Sequence, residues 1–224
     1  MMQFRTKEEQ VADFLREAII SGRIPRGARL KQQEIANQLK TSITPVREAL
    51  KLLVAEGYVL GDSYRGATVA PFDIEASSEV LSLRILLETQ LVRGAAERVS
   101  GADIAELKIL AGEFASAFEA GDNETARAAN YRFHHRMFEI AHMPQTLHFV
   151  QILWARYPFD IINRLTGRVS RAADEHDDLL EALIAGDAAA AMLATRHHIE
   201  AGFGELRAAL ARTQTAPQPE SHAE

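Results

Sequence analysis

Apolar residues recur at helical spacing from the start of the chain. Val11, Phe14, Leu15, Ala18 and Ile19 mark one face of a helix over Lys7–Ser21, which Gly22 ends. After the turn-rich run Gly22–Gly27 and a short extended piece at Leu30, Ile35, Ala36 and Leu39 predict a second helix over Gln32–Leu39. The polar turn Lys40-Thr41-Ser42-Ile43 leads into a third helix, capped by Ser42 or Thr44, with Pro45 in its first turn, where a missing N–H costs nothing. Val46, Ala49, Leu50 and Leu53 form its inner face as far as Gly57. Tyr58-Val59-Leu60 and Ala67-Thr68-Val69-Ala70 are β-prone runs flanking Gly61–Gly66, which predicts a hairpin with glycine at its tip.

Beyond Pro71-Phe72-Asp73 the pattern turns helical. Helices are predicted over about Glu75–Ser100, Ala102–Ala120, Asp122–His142, Gln145–Arg156, Ser170–Ala185 and Asp187–Arg212, with Ile161–Thr166 left unassigned. Asp122 and Asp187 each follow Ala-Gly and read as N-caps, with their charge well placed against the helix dipole. The fold class that results is mainly α. A winged helix-turn-helix, three helices plus a β-hairpin wing, occupies residues 1–72; an all-α bundle occupies 73–212; a polar, proline-containing tail over 213–224 is expected to be disordered.

Charge separates the two halves. The net charge is -6, but residues 1–72 carry 11 Lys/Arg against 8 Asp/Glu, while residues 73–224 carry 14 against 23. The basic excess sits where it can meet phosphate. All eight histidines lie at or after position 134. With no cysteine, thiolate metal sites and disulfides are excluded, and no apolar run is long enough to span a bilayer. The first ten residues carry charge and no secretory apolar core, so a cytoplasmic location is expected.

A tight turn between the second and third helices, followed by a hairpin, is the geometry that puts a helix N-terminus into the major groove. Ser42, Thr44, Arg47 and Lys51 are the polar side chains near that end; Arg47 can fork onto guanine O6 and N7. Arg65 beside Gly66 puts a cation at the wing tip, where glycine allows close approach to DNA. A surface Arg or Lys taken alone is usually a solvated charge, so the longer match matters. The segment Thr44-Pro45-Val46-Arg47-Glu48-Ala49-Leu50, with Leu53, Glu56-Gly57 and Arg65-Gly66-Ala67, resembles the GntR family of bacterial regulators. That family has arginine directly after the turn serine. Here the position is Ile43, so the resemblance leaves base readout at this point open. Arg29 and Lys31 are candidate compensating phosphate contacts.

In the second half, Asn130 and His134 are four apart on a face shared with Met137, Phe138 and Ala141, so both point inward. His176 belongs to the stripe Leu179, Leu180 and Leu183, and His198 lies on a small-residue face with Ala191, Ala194 and Ala201. Three inward imidazoles and one amide from three helices suit a divalent ion such as zinc or nickel. His197 is the alternative to His198, but it shares a face with Glu200; His135, His142 and His148 read as structural or exposed. Leu83-Arg84…Leu87-Glu88, Asn130…Phe133-His134, Glu175-His176 and Arg196-His197-His198-Ile199 resemble the FCD domain of FadR-type GntR regulators. The resemblance implies an aspartate and three histidines around a divalent metal, with a small effector, often a carboxylic acid, completing the coordination. Here the aspartate position is Asn130, which removes one negative charge. Arg84 is implied as the partner of an effector carboxylate; an ion pair with Glu88, four residues on, is the competing assignment.

The expected function is a regulator that binds a palindromic double-stranded DNA operator as a homodimer, under control of the effector. A metal-responsive regulator without an organic effector is one alternative. A metal-dependent hydrolase with a DNA-binding head is another, weakened because Glu175 projects about 100° from His176 on a helix and makes a poor general base for it.

Overall fold

The computed structural model describes residues 6–62, 66–72, 77–157 and 168–215. The head begins with α1 (Lys7–Ile20), started by a capping box in which the Thr6 hydroxyl accepts from Glu9 N–H and the Glu9 carboxylate accepts from Thr6 N–H. Gly22, at φ 76°, turns the chain out of it. β1 (Arg29–Leu30), α2 (Gln32–Gln38) and α3 (Ile43–Glu56) follow; Gly57, at φ 85°, closes α3 in the left-handed conformation. β2 (Val59–Asp62) and β3 (Gly66–Val69) form the hairpin. The extended piece at Leu30 becomes a true third strand, antiparallel to β3 with Leu30 opposite Ala67, giving the order β1-β3-β2.

The second half contains six helices among the described residues: α4 (Ser77–Ala96), α5 (Gly101–Glu119), α6 (Asn123–Ile140), α7 (Pro144–Ala155), α8 (Arg168–Ile184) and α9 (Ala188–Thr215). Asp122 caps α6 by accepting from Thr125 N–H at 3.1 Å, and Asp187 caps α9 by accepting from Ala190 N–H at 2.9 Å. α9 runs to Thr215, past the expected end at Arg212, so Thr213–Thr215 are helical rather than tail. Polar residues extend a formed helix at little cost, and the first breaker is Pro217. The unassigned Ile161–Thr166 and the tail from Ala216 lie outside the described residues.

The apolar interior does not stop at the boundary between the halves. Leu15, Ile19, Ile20 and Leu53 of the head share one continuous cluster with Tyr131, Phe138, Val150 and Leu179 of the bundle. Polar contacts rim the seam. Arg26 donates to the carbonyls of Ala155 (3.4 Å) and Tyr157 (2.8 Å) at the end of α7, and Arg127 of α6 donates to the Ser21 carbonyl that follows α1.

Candidate functional site

The residues expected to read DNA lie at the tip of α3. Ser42 stands at its N-cap without a side-chain cap bond, and Ser42, Ile43 and Thr44 are all exposed. Arg47 and Lys51 follow on the same helix, both beside Glu48: Lys51 Nζ lies 3.0 Å from each Glu48 oxygen, and Arg47 Nε lies 3.6 Å from one of them. The hydrogen bond from Lys51 lowers the Glu48 pKa, so this carboxylate is firmly ionised between the two cations. Ile43, 40% exposed, places a bare apolar side chain at the helix tip. It can pack on a thymine methyl but offers nothing to a guanine edge. At the wing, Gly66 takes φ 134°, and a Cβ there would stand 3.3 Å from Arg29 NH2, so Arg29 lies beside the hairpin. Arg65 lies outside the described residues.

α3 is tied to α1 from below. Arg16 donates from Nε and NH2 to the two Glu56 oxygens, each at 2.7 Å, and also pairs with Asp13. Burial opposes the Arg16 charge, but the hydrogen bonds and charge of Glu56 outweigh it and hold the pKa above the ordinary arginine value. The periodicity of single helices carries no trace of this pair, because its members are forty residues apart.

In the bundle, three helices bring the predicted imidazoles together. His134 of α6, His176 of α8 and His198 of α9 have potential ligand atoms all within 4.8 Å of one another. His134 and His176 are buried, and their Nε2 atoms stand 3.2 Å apart. His197 is exposed, which removes it as the alternative. The His198 Nδ1 donates to Glu175 Oε2 at 2.7 Å, which leaves the lone pair of the neutral ring on Nε2. A carboxylate that holds a histidine by its far nitrogen is the usual support of a metal-binding imidazole. Glu175 was set aside as a base for the adjacent His176; its actual partner is on the neighbouring helix, a relation no single-helix pattern reveals. The donor set of three imidazoles, one braced by a carboxylate, fits a borderline divalent ion. His142 and His148 are exposed, and the His135 ring lies 3.0 Å from Gln151 Nε2.

Beside the triad lies a small cavity bordered by His134, His198 and Asn130. Among the described residues its remaining wall is Arg84, Glu88, Tyr131, Trp154 and, from the head, Ile20. Arg84 makes the ion pair with Glu88, Nε to Oε1 at 2.7 Å and NH2 to Oε2 at 3.3 Å, with its guanidinium over the Tyr157 ring at 4.1 Å. Burial works against its charge, yet Glu88 raises the Arg84 pKa overall. Trp154 Nε1 donates to the same Glu88 at 2.8 Å. Glu88 entered the sequence reading only as the competing partner of Arg84, and nothing in the pattern of single helices points to Trp154 or Ile20.

Residues 7–69 match the bacterial regulatory proteins of the gntR family, and residues 79–201 match the FCD domain. The chain is 32% identical over 209 residues to the probable D-xylose utilization operon transcriptional repressor of Paenarthrobacter nicotinovorans, covering 88% of this chain and 87% of that protein. It is 25% identical over 158 residues to the galactonate operon transcriptional repressor of Escherichia coli (strain K12), covering 62% and 68%. The solved structure of E. coli McbR/YncC superposes with a TM-score of 0.76 at 27% identity, over 95% of this chain and 100% of that one. These families and relatives are transcription regulators rather than enzymes. With a DNA-reading winged helix-turn-helix joined to an FCD domain, the chain belongs to the GntR family of bacterial transcriptional regulators.

Proposed function

We propose that this regulator binds its operator as a homodimer and is controlled by a small carboxylic acid held in the bundle cavity beside a divalent metal. The observation that carries the reading is the convergence of His134, His176 and His198 next to that cavity, with Glu175 bracing His198. Those three imidazoles would hold the ion, zinc or nickel by their chemistry, with Asn130 as a neutral oxygen donor from the same wall. When bound, the metal supplies a Lewis-acidic centre for an oxygen of the effector. Asn130 leaves the donor set without a protein anion, which makes an anionic effector welcome. Arg84 is already neutralised by Glu88, so its role is to shape a polar wall and to bond an acid that competes for it. The relative named for galactonate controls the operon of a sugar acid, in keeping with this ligand class.

Residues 1–72 are the reading half, with Ser42, Thr44, Arg47 and Lys51 at the groove and Arg65 and Gly66 on the wing; residues 73–212 are the sensing and dimerising half. Two heads related by a twofold axis would read a palindromic operator. Among the described residues no helix is long and apolar enough to cross a membrane, in keeping with a cytoplasmic regulator. The small size of the cavity, about 20 Å³, favours a second reading in which the metal alone is the signal. Operator titration of the chelated and the zinc-loaded protein, with and without a panel of organic acids, tests both. A response to acids only in the zinc-loaded form supports the first reading, and a response to zinc that no acid alters supports the second. Protein indifferent to zinc and acids alike would overturn both.

A further inference from the structure

Ile20 is the last residue of α1 in the reading head, yet it forms part of the wall of the bundle cavity and is only 5% exposed. The space enclosed is about 20 Å³, room for about one water molecule. An acid whose chain extends past the histidines exceeds that space, so its full entry requires part of the described wall to give. Arg84 and Trp154 both donate to Glu88, and Asn130, Tyr131 and His134 sit on one helix of the bundle. Among the described lining residues Ile20 alone comes from the head, and it enters through a seam between the halves rather than through the bundle's own packing.

Moving Ile20 moves the helix that reads DNA. α1 packs along α3, and the bidentate Arg16–Glu56 pair locks the two together inside the head. The seam around Ile20 is held by contacts that would have to stretch. Arg127, one turn before Tyr131 on α6, grips the carbonyl of Ser21, the residue after Ile20, and Arg26 reaches the end of α7. The helix that lines the cavity with Asn130, Tyr131 and His134 therefore also holds the end of α1. Packed interfaces of this kind respond to an added volume by shifting as bodies.

We infer that Ile20 gauges effector length: an acid short enough to stay by the histidines leaves the head in place, and one long enough to press on Ile20 displaces α1 together with α3. The inference rests on the effector reading of the cavity, and adds that ligand bulk, rather than occupancy as such, is what reaches the operator. It names Ile20 as a specificity-determining residue contributed by the DNA-binding half.

The test uses the zinc-loaded full-length protein, an operator duplex obtained by in vitro selection, and straight-chain acids from acetate to octanoate. Binding is followed by the fluorescence of Trp154, the single tryptophan, and operator affinity is measured in parallel. Expected are short acids that bind without changing the operator Kd and, above a threshold length, a change of about tenfold or more. In Ile20→Ala the threshold moves to acids longer by about two carbons, the depth of wall removed. Ile20→Val, which trims a single methylene, is expected to move it less and serves if the alanine variant does not fold. An unmoved threshold in the folded variant, or a full response to acetate in the wild type, overturns the gauge while leaving the effector reading intact. A wild-type protein whose operator affinity answers to no acid at all removes the effector reading, and the gauge with it.

Discussion

Glu175 Oε2 lies 2.7 Å from His198 Nδ1, joining α8 to α9 and fixing which nitrogen of His198 keeps its lone pair. The neighbouring residue, His176, contributes its own ring to the same cluster, so two successive residues of α8 serve it in different ways. Glu175→Gln keeps the shape and removes the charge that favours the Nδ1–H form. Zinc affinity is expected to fall about 10- to 100-fold, as for other partners that orient a ligating histidine. Isothermal titration with zinc reads the change. An unchanged affinity would mean that Glu175 is only a packing ion pair.

Removal of the ion should also loosen the bundle. The triad joins α6, α8 and α9, and an ion bound to the folded state alone stabilises it by about 2.7 kcal/mol at a hundredfold excess over its Kd. Chelation is therefore expected to lower the thermal midpoint of the wild type. The combined variant His134→Ala, His176→Ala, His198→Ala should show neither bound metal on elemental analysis nor any response to chelator. Full metal content in that variant would place the ion elsewhere.

The helices, their order and the inward direction of His134, His176 and His198 were legible because each depends on periodicity within one segment. What stayed hidden depends on distances across segments. Glu175 reaches His198 over a helix–helix interface, Glu88 gathers Arg84 and Trp154 from two helices, and Ile20 crosses between halves that composition and charge present as separate. Arg84 shows the limit from the other side. Its spacing to Glu88 announced the ion pair, but only the packing shows that pair to be buried against Tyr157 and at the edge of a cavity. The extension of α9 through Thr215 was missed for another reason, since a helix of polar residues has no apolar stripe to announce it.

The Arg16–Glu56 pair is expected to be the costliest polar contact in the head to break. Both side chains are nearly sealed from water, and their hydrogen bonds are short and bidentate. Leaving a charge buried without its partner costs about 3–5 kcal/mol, so Arg16→Met should destabilise by that order, and Glu56→Gln by less because Asp13 still faces Arg16. Urea unfolding gives the value. A loss below about 1 kcal/mol would mean that the pair is solvated in solution, as surface pairs are.

Arg47 sits on α3 next to Glu48 and one turn before Lys51, on the face proposed to enter the groove. Arg47→Ala is expected to weaken specific operator binding by about 1–3 kcal/mol and to relax preference at one base step. Lys51→Ala should instead weaken binding to all duplexes alike and lower the salt dependence, as loss of a phosphate contact does. Fluorescence anisotropy at several salt concentrations separates the two. Normal discrimination by Arg47→Ala would move the readout to another residue of the tip.

At that tip the exposed side chain of Ile43 is the one apolar group among the hydroxyls of Ser42 and Thr44. Its shape complements the thymine C5-methyl, and it lacks any donor for guanine. A selected half-site is therefore expected to carry thymine at one fixed step. Replacing that thymine by deoxyuridine, which deletes the methyl and nothing else, should weaken wild-type binding severalfold and leave Ile43→Ala unaffected. Ile43→Arg should shift the preferred base at the same step toward guanine, because a guanidinium can fork onto O6 and N7. The comparison isolates one contact with little disturbance of the fold, since the Ile43 side chain is exposed. A wild-type protein that binds the uracil-containing duplex as tightly as the thymine one would show that Ile43 leaves this base unread.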